Sequence, residues 1–105
     1  MIRIPTHREP THPGEMLREE FLIPMAISQK KLADAIHVPY QRINELINQK
    51  RGITPSTALR LGKFFATSPS FWMNLQERWD LYKATVTEQD EINLIQDFHQ
   101  LQEIA

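Results

Sequence analysis

Polar side chains cluster on one face of a short segment near the middle of the chain. If residues 40–48 form a helix, each residue turns by about 100°, so one side is polar and the other aliphatic. The polar side comprises Gln41, Asn44, Glu45 and Asn48, with Tyr40 and Arg42 at its edges. Amides can bind the edge of adenine through two hydrogen bonds, and a glutamate can accept one from cytosine. The pattern predicts base-edge contacts to DNA by Tyr40, Gln41, Asn44 and Glu45.

Basic residues border this polar face and could hold the DNA backbone. Arg42, Lys50 and Arg51 are predicted to contact phosphates, which position a protein on DNA without reading its sequence. Gln29 is predicted to reach the same backbone or to brace the base-reading helix. Residues 29–51 carry a net positive charge, although the whole chain has a net charge of −1. The alternative is that these polar residues only coat an exposed helix, but the turn ahead of them favours DNA.

A helix-turn-helix would present the polar face to DNA, and residues 28–49 have its pattern. Ser28 can cap the first helix, and Ala33 is small enough for a close helix crossing. The turn falls at His37, where glycine is usual, but histidine is among the other residues that tolerate a positive φ. Apolar residues at helical spacing are predicted to bury the inner sides of both helices: Leu32, Ala33, Ile36, Val38, Ile43, Leu46 and Ile47.

The rest of the sequence predicts four more helices and no strand, so the fold class is all-α. Three helices are expected to begin at a cap followed by proline, at His12-Pro13, Thr54-Pro55 and Ser68-Pro69. Pro24 is expected to end the first helix near Ile23. Residues 49–52 are expected to form a loop after the base-reading helix, in which Gly52 is able to take a positive φ.

These signals divide the chain into an N-terminal arm at 1–11, a DNA-binding domain at 12–84 and an acidic C-terminal helix at 85–105. A break at residues 84–86 is expected to precede the last helix, which Thr87 and Asp90 can cap together. Residues 87–105 contain five acidic side chains and no basic one. An acidic end beside a basic centre suggests two surfaces for different partners.

Apolar residues along the predicted fifth helix are more numerous than one small core can easily bury. Trp72, Leu75, Trp79 and Tyr82 recur at helical spacing and form a stripe. Part of this stripe is predicted to face a second copy, with Trp72, Leu75 and Trp79 at a homodimer interface. A dimer matters because two recognition helices related by a two-fold axis can read a palindrome.

Composition and spacing exclude several other kinds of site. The chain has no cysteine, so disulfides and thiolate metal sites are impossible. No metal motif, nucleophile–base set or glycine-rich phosphate loop is present, and the histidines His7, His12, His37 and His99 lack ligand spacing. His12 is instead expected to cap the first helix. We therefore predict no enzymatic activity, no cofactor and no metal. Without a bilayer-spanning apolar run or a signal peptide, a cytoplasmic protein with no membrane partner is expected.

Four motifs in the chain are specific when they occur together. They are HPGEML at 12–17, SQKKLADAI at 28–36, RINELINQKRGITPSTALRL at 42–61 and TSPSFWMNLQ at 67–76. Together they resemble the HigA-type antitoxins of the Cro/repressor-like (XRE-type) helix-turn-helix family. The resemblance implies a lambda-repressor-like five-helix DNA-binding domain, here with an additional C-terminal helix. It also implies dimerisation, repression of the protein's own operon and neutralisation of a RelE-like mRNA-cleaving toxin. The family's base-contact positions fall on Tyr40, Gln41, Asn44 and Glu45.

Three functions remain open from the sequence. The first is a dimeric antitoxin that binds both operator DNA and a toxin, with the acidic segment 87–105 or the N-terminal arm contacting a basic toxin. The second is a stand-alone helix-turn-helix transcriptional regulator with no toxin partner. The third, a protein–protein module that no longer binds DNA, is disfavoured by the basic pair Lys50-Arg51. An adjacent gene for a small basic protein would favour the first over the second.

Overall fold

A computed structural model describes residues 9–104 of the chain. Within that range all regular structure is helical, which confirms the all-α prediction. Helix α1 has three continuous parts, namely the α-helical turn Pro13–Leu17, the π-helical stretch Arg18–Leu22 and the last turn Ile23–Met25. The other helices are α2 Gln29–Ile36, α3 Tyr40–Ile47, α4 Pro55–Phe65, α5 Pro69–Asn93 and α6 Phe98–Ile104. Most of the predicted arm, including His7, lies outside the described residues.

Capping side chains start the helices where the sequence predicts them. The caps of α1, α2, α4 and α5 are His12, Ser28, Thr54 and Ser68. Each accepts a hydrogen bond from a first-turn backbone N–H at 2.9, 3.0, 3.3 or 3.1 Å, respectively. These bonds satisfy donors that a helix leaves unpaired. A proline follows the cap in α1, α4 and α5, which confirms the predicted starts.

One apolar core joins helices α1 to α5 and holds α3 in place. Each of these helices contributes fully buried large side chains: Leu17, Leu32, Ile43, Leu46, Leu61 and Trp72. The inner sides predicted for α2 and α3 are all buried. Burying each such side chain contributes about 1.5–3 kcal/mol. The polar side of α3 is therefore presented by a helix whose other side is firmly packed.

Helix α1 ends two residues later than predicted, because its backbone widens ahead of Pro24. The N–H of Ile23 bonds to the carbonyl of Arg18, five residues back, as in a π-helix. A proline ring normally collides with the carbonyl four residues earlier, and a wider turn relieves that collision. Pro24 therefore fits inside the last turn, and the helix ends where Ala26 adopts the left-handed conformation.

Four described residues other than glycine have a left-handed backbone, with φ of 54°, 61°, 60° and 57°. They are Ala26, His37, Gln49 and Ala66. Each lies just beyond the end of a helix, where such a conformation pairs the last free carbonyls. The positive φ predicted for His37 is confirmed. Gly52, which is able to take a positive φ, does not adopt one, and Gln49 reverses the chain after α3 instead.

Gly52 instead allows the side chain of Gln76 to come close to the loop backbone. A Cβ at this position would lie 2.7 Å from Oε1 of Gln76. That oxygen accepts a hydrogen bond from the N–H of Ile53 at 2.7 Å, and Nε2 of Gln76 donates to Oδ1 of Asp80 at 2.9 Å. Gln76 thus fastens the loop after α3 to α5, and the missing side chain at Gly52 makes room for it.

Helix α5 runs unbroken for 25 residues, so the break predicted at residues 84–86 is wrong. The hydroxyl of Thr85 donates to the carbonyl of Leu81 at 2.8 Å and so stays within the helix. Threonine and valine weaken a helix far less than glycine or proline, which cost about 1 and 3 kcal/mol relative to alanine.

Among the helices of the described residues, none combines the length and apolar character that crossing a membrane requires.

The last helix begins later than predicted, and its cap is a different pair of residues. Oδ1 of Asp97 accepts from the N–H of Gln100 at 2.8 Å, and Oε1 of Gln100 accepts from the N–H of Asp97 at 3.1 Å. This reciprocal arrangement is a capping box. The predicted cap at Thr87 and Asp90 is wrong, since both residues lie inside α5. The division into parts at residue 85 stays a prediction, and α5 crosses that boundary.

His12 is buried where α1 meets α5. Its Nδ1 accepts a hydrogen bond from the N–H of Gly14 at 2.9 Å, and its ring lies edge-on to Trp79 with centroids 4.8 Å apart. Burial lowers the pKa of His12 below its ordinary value of 6.5, although the negative charges of Asp80 and Glu15 oppose this. A protonated ring has no acceptor at Nδ1, so the cap requires neutral histidine.

We expect the chain to lose stability as the pH falls below about 6.5. The unfolded chain binds a proton at His12 more readily than the folded chain. The contribution of His12 to the free energy of unfolding is therefore at its maximum above that pH. It declines as the pH falls toward the lowered pKa of His12 in the folded chain. The slope from this group is at most about 1.4 kcal/mol per pH unit. Chemical denaturation at a series of pH values measures it. His12→Asn keeps a capping acceptor without the titration, so an equal slope in that variant would contradict the prediction.

Candidate nucleic-acid interface

Helices α2 and α3 meet at the turn that the sequence predicts for a helix-turn-helix. Ala33 is buried at the crossing, and its carbonyl accepts from the N–H of Val38 at 3.0 Å. His37, in the left-handed conformation, turns the chain toward α3. Helix α3 then packs its aliphatic side into the core and keeps its polar side at the surface.

Arg60 on α4 also fixes this turn, and the sequence patterns did not reveal it. Its Nη1 donates to the carbonyl of Ile36 at 2.7 Å and to that of His37 at 3.3 Å. A helix C-terminus leaves carbonyls unpaired and attracts a cation through its dipole. The residues are 24 positions apart in the chain, so only the tertiary fold brings this arginine to the turn.

Two of the predicted base-contact residues, Asn44 and Tyr40, belong to one hydrogen-bonded group of polar side chains. Nδ2 of Asn44 donates to Oε1 of Gln29 at 3.1 Å and to the hydroxyl of Tyr40 at 3.4 Å. Oδ1 of Asn44 accepts from Nδ2 of Asn48 at 3.2 Å. The bond between Gln29 and Asn44 joins α2 to α3, as the predicted bracing requires. Side chains held in this way before binding have less rotamer entropy to lose on a partner.

Glu45 is held at the other edge of the polar face. Nε and Nη2 of Arg51 donate to its Oε1 at 3.1 and 3.0 Å. Nε2 of Gln41 lies 3.5 Å from its Oε2, which is beyond the usual length of a good hydrogen bond. The predicted base acceptor Glu45 and the predicted phosphate donor Arg51 are thus paired with each other. Gln41 is the amide of this face that is held most loosely.

The other two predicted phosphate contacts lie at opposite ends of α3. Arg42 is half-buried in the first turn of the helix, and Lys50 is exposed in the loop that follows it. Together with Arg51 they place positive charge on either side of the amides. This arrangement suits contacts with the phosphates that border a groove.

The three residues predicted for a dimer interface differ in their exposure. Trp72 has no exposed surface, and its Nε1 donates to Oγ1 of Thr67 at 2.9 Å. The interface prediction for Trp72 is wrong, because a side chain enclosed by its own chain cannot contact another. Leu75 and Trp79 are half-buried and keep some free surface. Their place at an interface stays a prediction.

Comparison with known proteins identifies the family. The model of the helix-turn-helix family HTH_3 matches residues 17–72, which include α2, α3 and α4. Antitoxin HigA-1 of Vibrio cholerae is 37% identical over 90 residues, which cover 86% of this chain and 85% of that protein. The chain is a helix-turn-helix protein of the HigA-type antitoxin family. This membership confirms the resemblance carried by the four sequence motifs.

Two further matches extend the comparison. Virulence-associated protein I of Dichelobacter nodosus is 49% identical over 84 residues, which are 80% of this chain and 77% of that protein. The structure of Pseudomonas aeruginosa antitoxin HigA with the higBA promoter has a TM-score of 0.83 and 41% identity, and the match covers 86% of this chain and 99% of that one. HigA-type antitoxins are DNA-binding regulators and not enzymes, so the predicted fold, DNA-binding class and lack of enzymatic activity are confirmed.

Proposed function

We propose that this HigA-type antitoxin neutralises a RelE-like mRNA-cleaving toxin and binds operator DNA as a homodimer, so that it represses its own operon in the cytoplasm. The observation that carries the DNA-binding part is the row of polar side chains on α3, braced from α2 by Gln29. The relative solved with a promoter supports this part. The Vibrio cholerae relative, named as an antitoxin, supports the toxin-binding part.

In the proposed complex the polar face of α3 lies in the major groove, and one ion pair must open. Tyr40, Gln41, Asn44 and Glu45 face base edges, while Arg42, Lys50 and Arg51 hold phosphates. Arg51 contacts only one carboxylate oxygen of Glu45, so the other oxygen can accept from a cytosine while Arg51 moves to a phosphate. Ion pairs at the surface contribute about 0–1 kcal/mol, so this exchange costs little. The released arginine is then free to bind a phosphate.

The homodimer in this proposal places two copies of α3 in successive major grooves. The two half-sites that such a dimer contacts on the DNA would lie about 34 Å apart, which is one turn of DNA. We place the axis near Leu75 and Trp79 on α5, because these apolar residues keep free surface. We place this axis perpendicular to α5, so that the two copies of the helix are antiparallel.

Gln41→Ala is expected to weaken operator binding by about 1–3 kcal/mol, with the loss concentrated at one base pair. Gln41 is the loosely held amide of the face, so its removal leaves the bracing of Asn44 intact. Fluorescence anisotropy titrations against the operator and a set of single-base-pair variants measure the effect. An equal loss on every DNA sequence would rule out base reading by this residue.

Arg51→Ala provides the contrast, because a phosphate contact carries no sequence information. We expect it to weaken binding to all sequences alike and to lower the slope of log affinity against log salt by about one. The same titrations, repeated at several salt concentrations, measure this slope. A sequence-selective loss with an unchanged slope would contradict the phosphate role.

Co-purification with the product of the neighbouring gene, followed by a gel-shift assay on the DNA upstream of the operon, tests the whole proposal. We expect a stable complex in which the partner no longer cleaves mRNA, and a shifted promoter fragment. A shifted fragment with no captured partner would make the chain a stand-alone transcriptional regulator. Failure to shift any upstream fragment would contradict operator binding.

A further inference from the structure

The C-terminal end of the molecule presents apolar side chains to solvent beside acidic ones. We call residues 86–103 the acidic tail. Its exposed apolar residues are Val86, Ile92, Leu94, Ile95, Phe98 and Leu101. Its charged residues are all acidic, Glu88, Asp90, Glu91, Asp97 and Glu103. Phe98 is 67% exposed, and a group of six exposed apolar residues in one segment points to a surface that another molecule covers.

A groove between α2 and α4 has the opposite charge and a similar apolar floor. Its volume is about 360 Å³, and its lining includes Ala35, Ile36, His37, Leu59, Arg60, Lys63 and Phe64. Leu59 and Phe64 are 61% and 40% exposed. Arg60 and Lys63 place two cations beside these apolar side chains. The groove, which we call the α2–α4 groove, therefore suits an apolar segment flanked by carboxylates.

The acidic tail cannot fill this groove on its own chain. Phe64 lies near the end of α4, a few residues before the start of α5, whereas the tail comprises the last eight residues of α5 and the segment that follows them. At 1.5 Å per residue, the 25 residues of α5 span about 37 Å. The four connecting residues and the helix α6 can return by at most about 24 Å. The described part of the molecule is accordingly elongated, with a longest dimension of 60 Å.

We propose that the acidic tail of one copy docks in the α2–α4 groove of a second copy. Pairing of tail with tail is disfavoured, because each tail carries only negative charge. The inference rests on the proposed homodimer. In that dimer two antiparallel copies of α5 cross near Leu75 and Trp79. The distal half of one α5 then runs past the start of its partner's α5, where the partner's α4 and groove lie. Two such contacts, related by the two-fold axis, would cover both exposed surfaces at once.

Site-specific crosslinking tests this contact directly, since the chain has no native cysteine. Leu59→Cys and Phe98→Cys are prepared as full-length single variants, mixed, and treated with a short bismaleimide. We expect a covalent dimer from the mixture and none from either variant alone. Glu20→Cys, an exposed position on α1, replaces Leu59→Cys in the control mixture. Equal crosslinking in the control, or none with Leu59→Cys, would overturn the docking.

A charge placed in the proposed contact gives an independent measurement. Phe98→Asp is expected to raise the dissociation constant of the dimer at least about tenfold in sedimentation equilibrium. His99→Asp, on another face of α6, adds the same charge and should have little effect.

A wild-type dimer that Phe98→Asp leaves intact would overturn the docking but keep the proposed homodimer. A wild-type monomer at all concentrations would overturn both. Loss of toxin capture with an unchanged dimer would show that the tail holds the toxin instead, which also overturns the docking.

Discussion

Gly14→Ala is expected to lower the free energy of unfolding by about 1–3 kcal/mol and to weaken operator binding with it. A Cβ at Gly14 would overlap the carbonyl oxygen of Leu46, which belongs to the backbone of α3. Backbone cannot rotate away as a side chain can, so α1 and α3 must move apart. Because α3 carries the proposed base contacts, its displacement also misplaces Gln41 and Asn44. Chemical denaturation and operator titrations measure the two losses.

Gly52→Ala is the matched control for this substitution. The nearest neighbour of its added Cβ is the end of the Gln76 side chain, which is flexible. Rotation of Gln76 would give up its hydrogen bond to Ile53, at a cost of about 0.5–1.5 kcal/mol. The operator affinity should change little, since α3 keeps its position. Equal effects from the two alanines would show that contact with α3 is not the reason for Gly14.

Trp72→Ala is expected to lower the free energy of unfolding by about 3–5 kcal/mol, more than any other substitution proposed for this chain. The side chain is fully buried, and the rings of Phe21, Phe65 and Phe71 pack around it with centroids 5.1–6.4 Å from its own. Removing the indole leaves a cavity and takes away the hydrogen-bond donor to Thr67. Thermal or chemical denaturation of the full chain measures the loss.

Trp72→Phe keeps the prediction testable even if the alanine variant does not fold. It retains an aromatic ring against the three phenylalanines but loses the donor to Thr67, so its loss should be smaller than that of Trp72→Ala. Its oligomeric state should match that of the wild type, because Trp72 has no surface for a second copy. Dimer loss in a well-folded Trp72→Phe would restore this residue to the interface and contradict its assignment to the core.

Features governed by neighbouring residues were predictable from the sequence. The caps at Ser28, Thr54 and Ser68 depend on a hydroxyl and the backbone three residues later, so a short pattern contains all that matters. The inner sides of α2 and α3 follow from helical periodicity. The left-handed turn at His37 follows from its position between two such helices. These features fix the helix-turn-helix and the orientation of its polar face.

Features that depend on distant residues or on small energy differences were not predictable. The burial of Trp72 is set by phenylalanines from three helices, so its spacing alone also fitted an interface. The pairing of Glu45 with Arg51 spans the end of α3, where periodicity no longer applies. The helix continues through Thr85, because propensity differences of a few tenths of a kcal/mol do not stop a helix already formed. Arg60 reaches the turn only through the tertiary fold.

The two tryptophans of the chain occupy unlike surroundings, and this gives the molecule two built-in fluorescent reporters. Trp72, enclosed in the core, would respond to unfolding. Trp79 lies against His12, with the ammonium of Lys83 5.0 Å from its ring, and would respond to protonation of the cap. It also lies where we place the two-fold axis, so its emission would follow association. Trp72→Phe and Trp79→Phe separate these signals, and folding, protonation and assembly can then be followed without a dye.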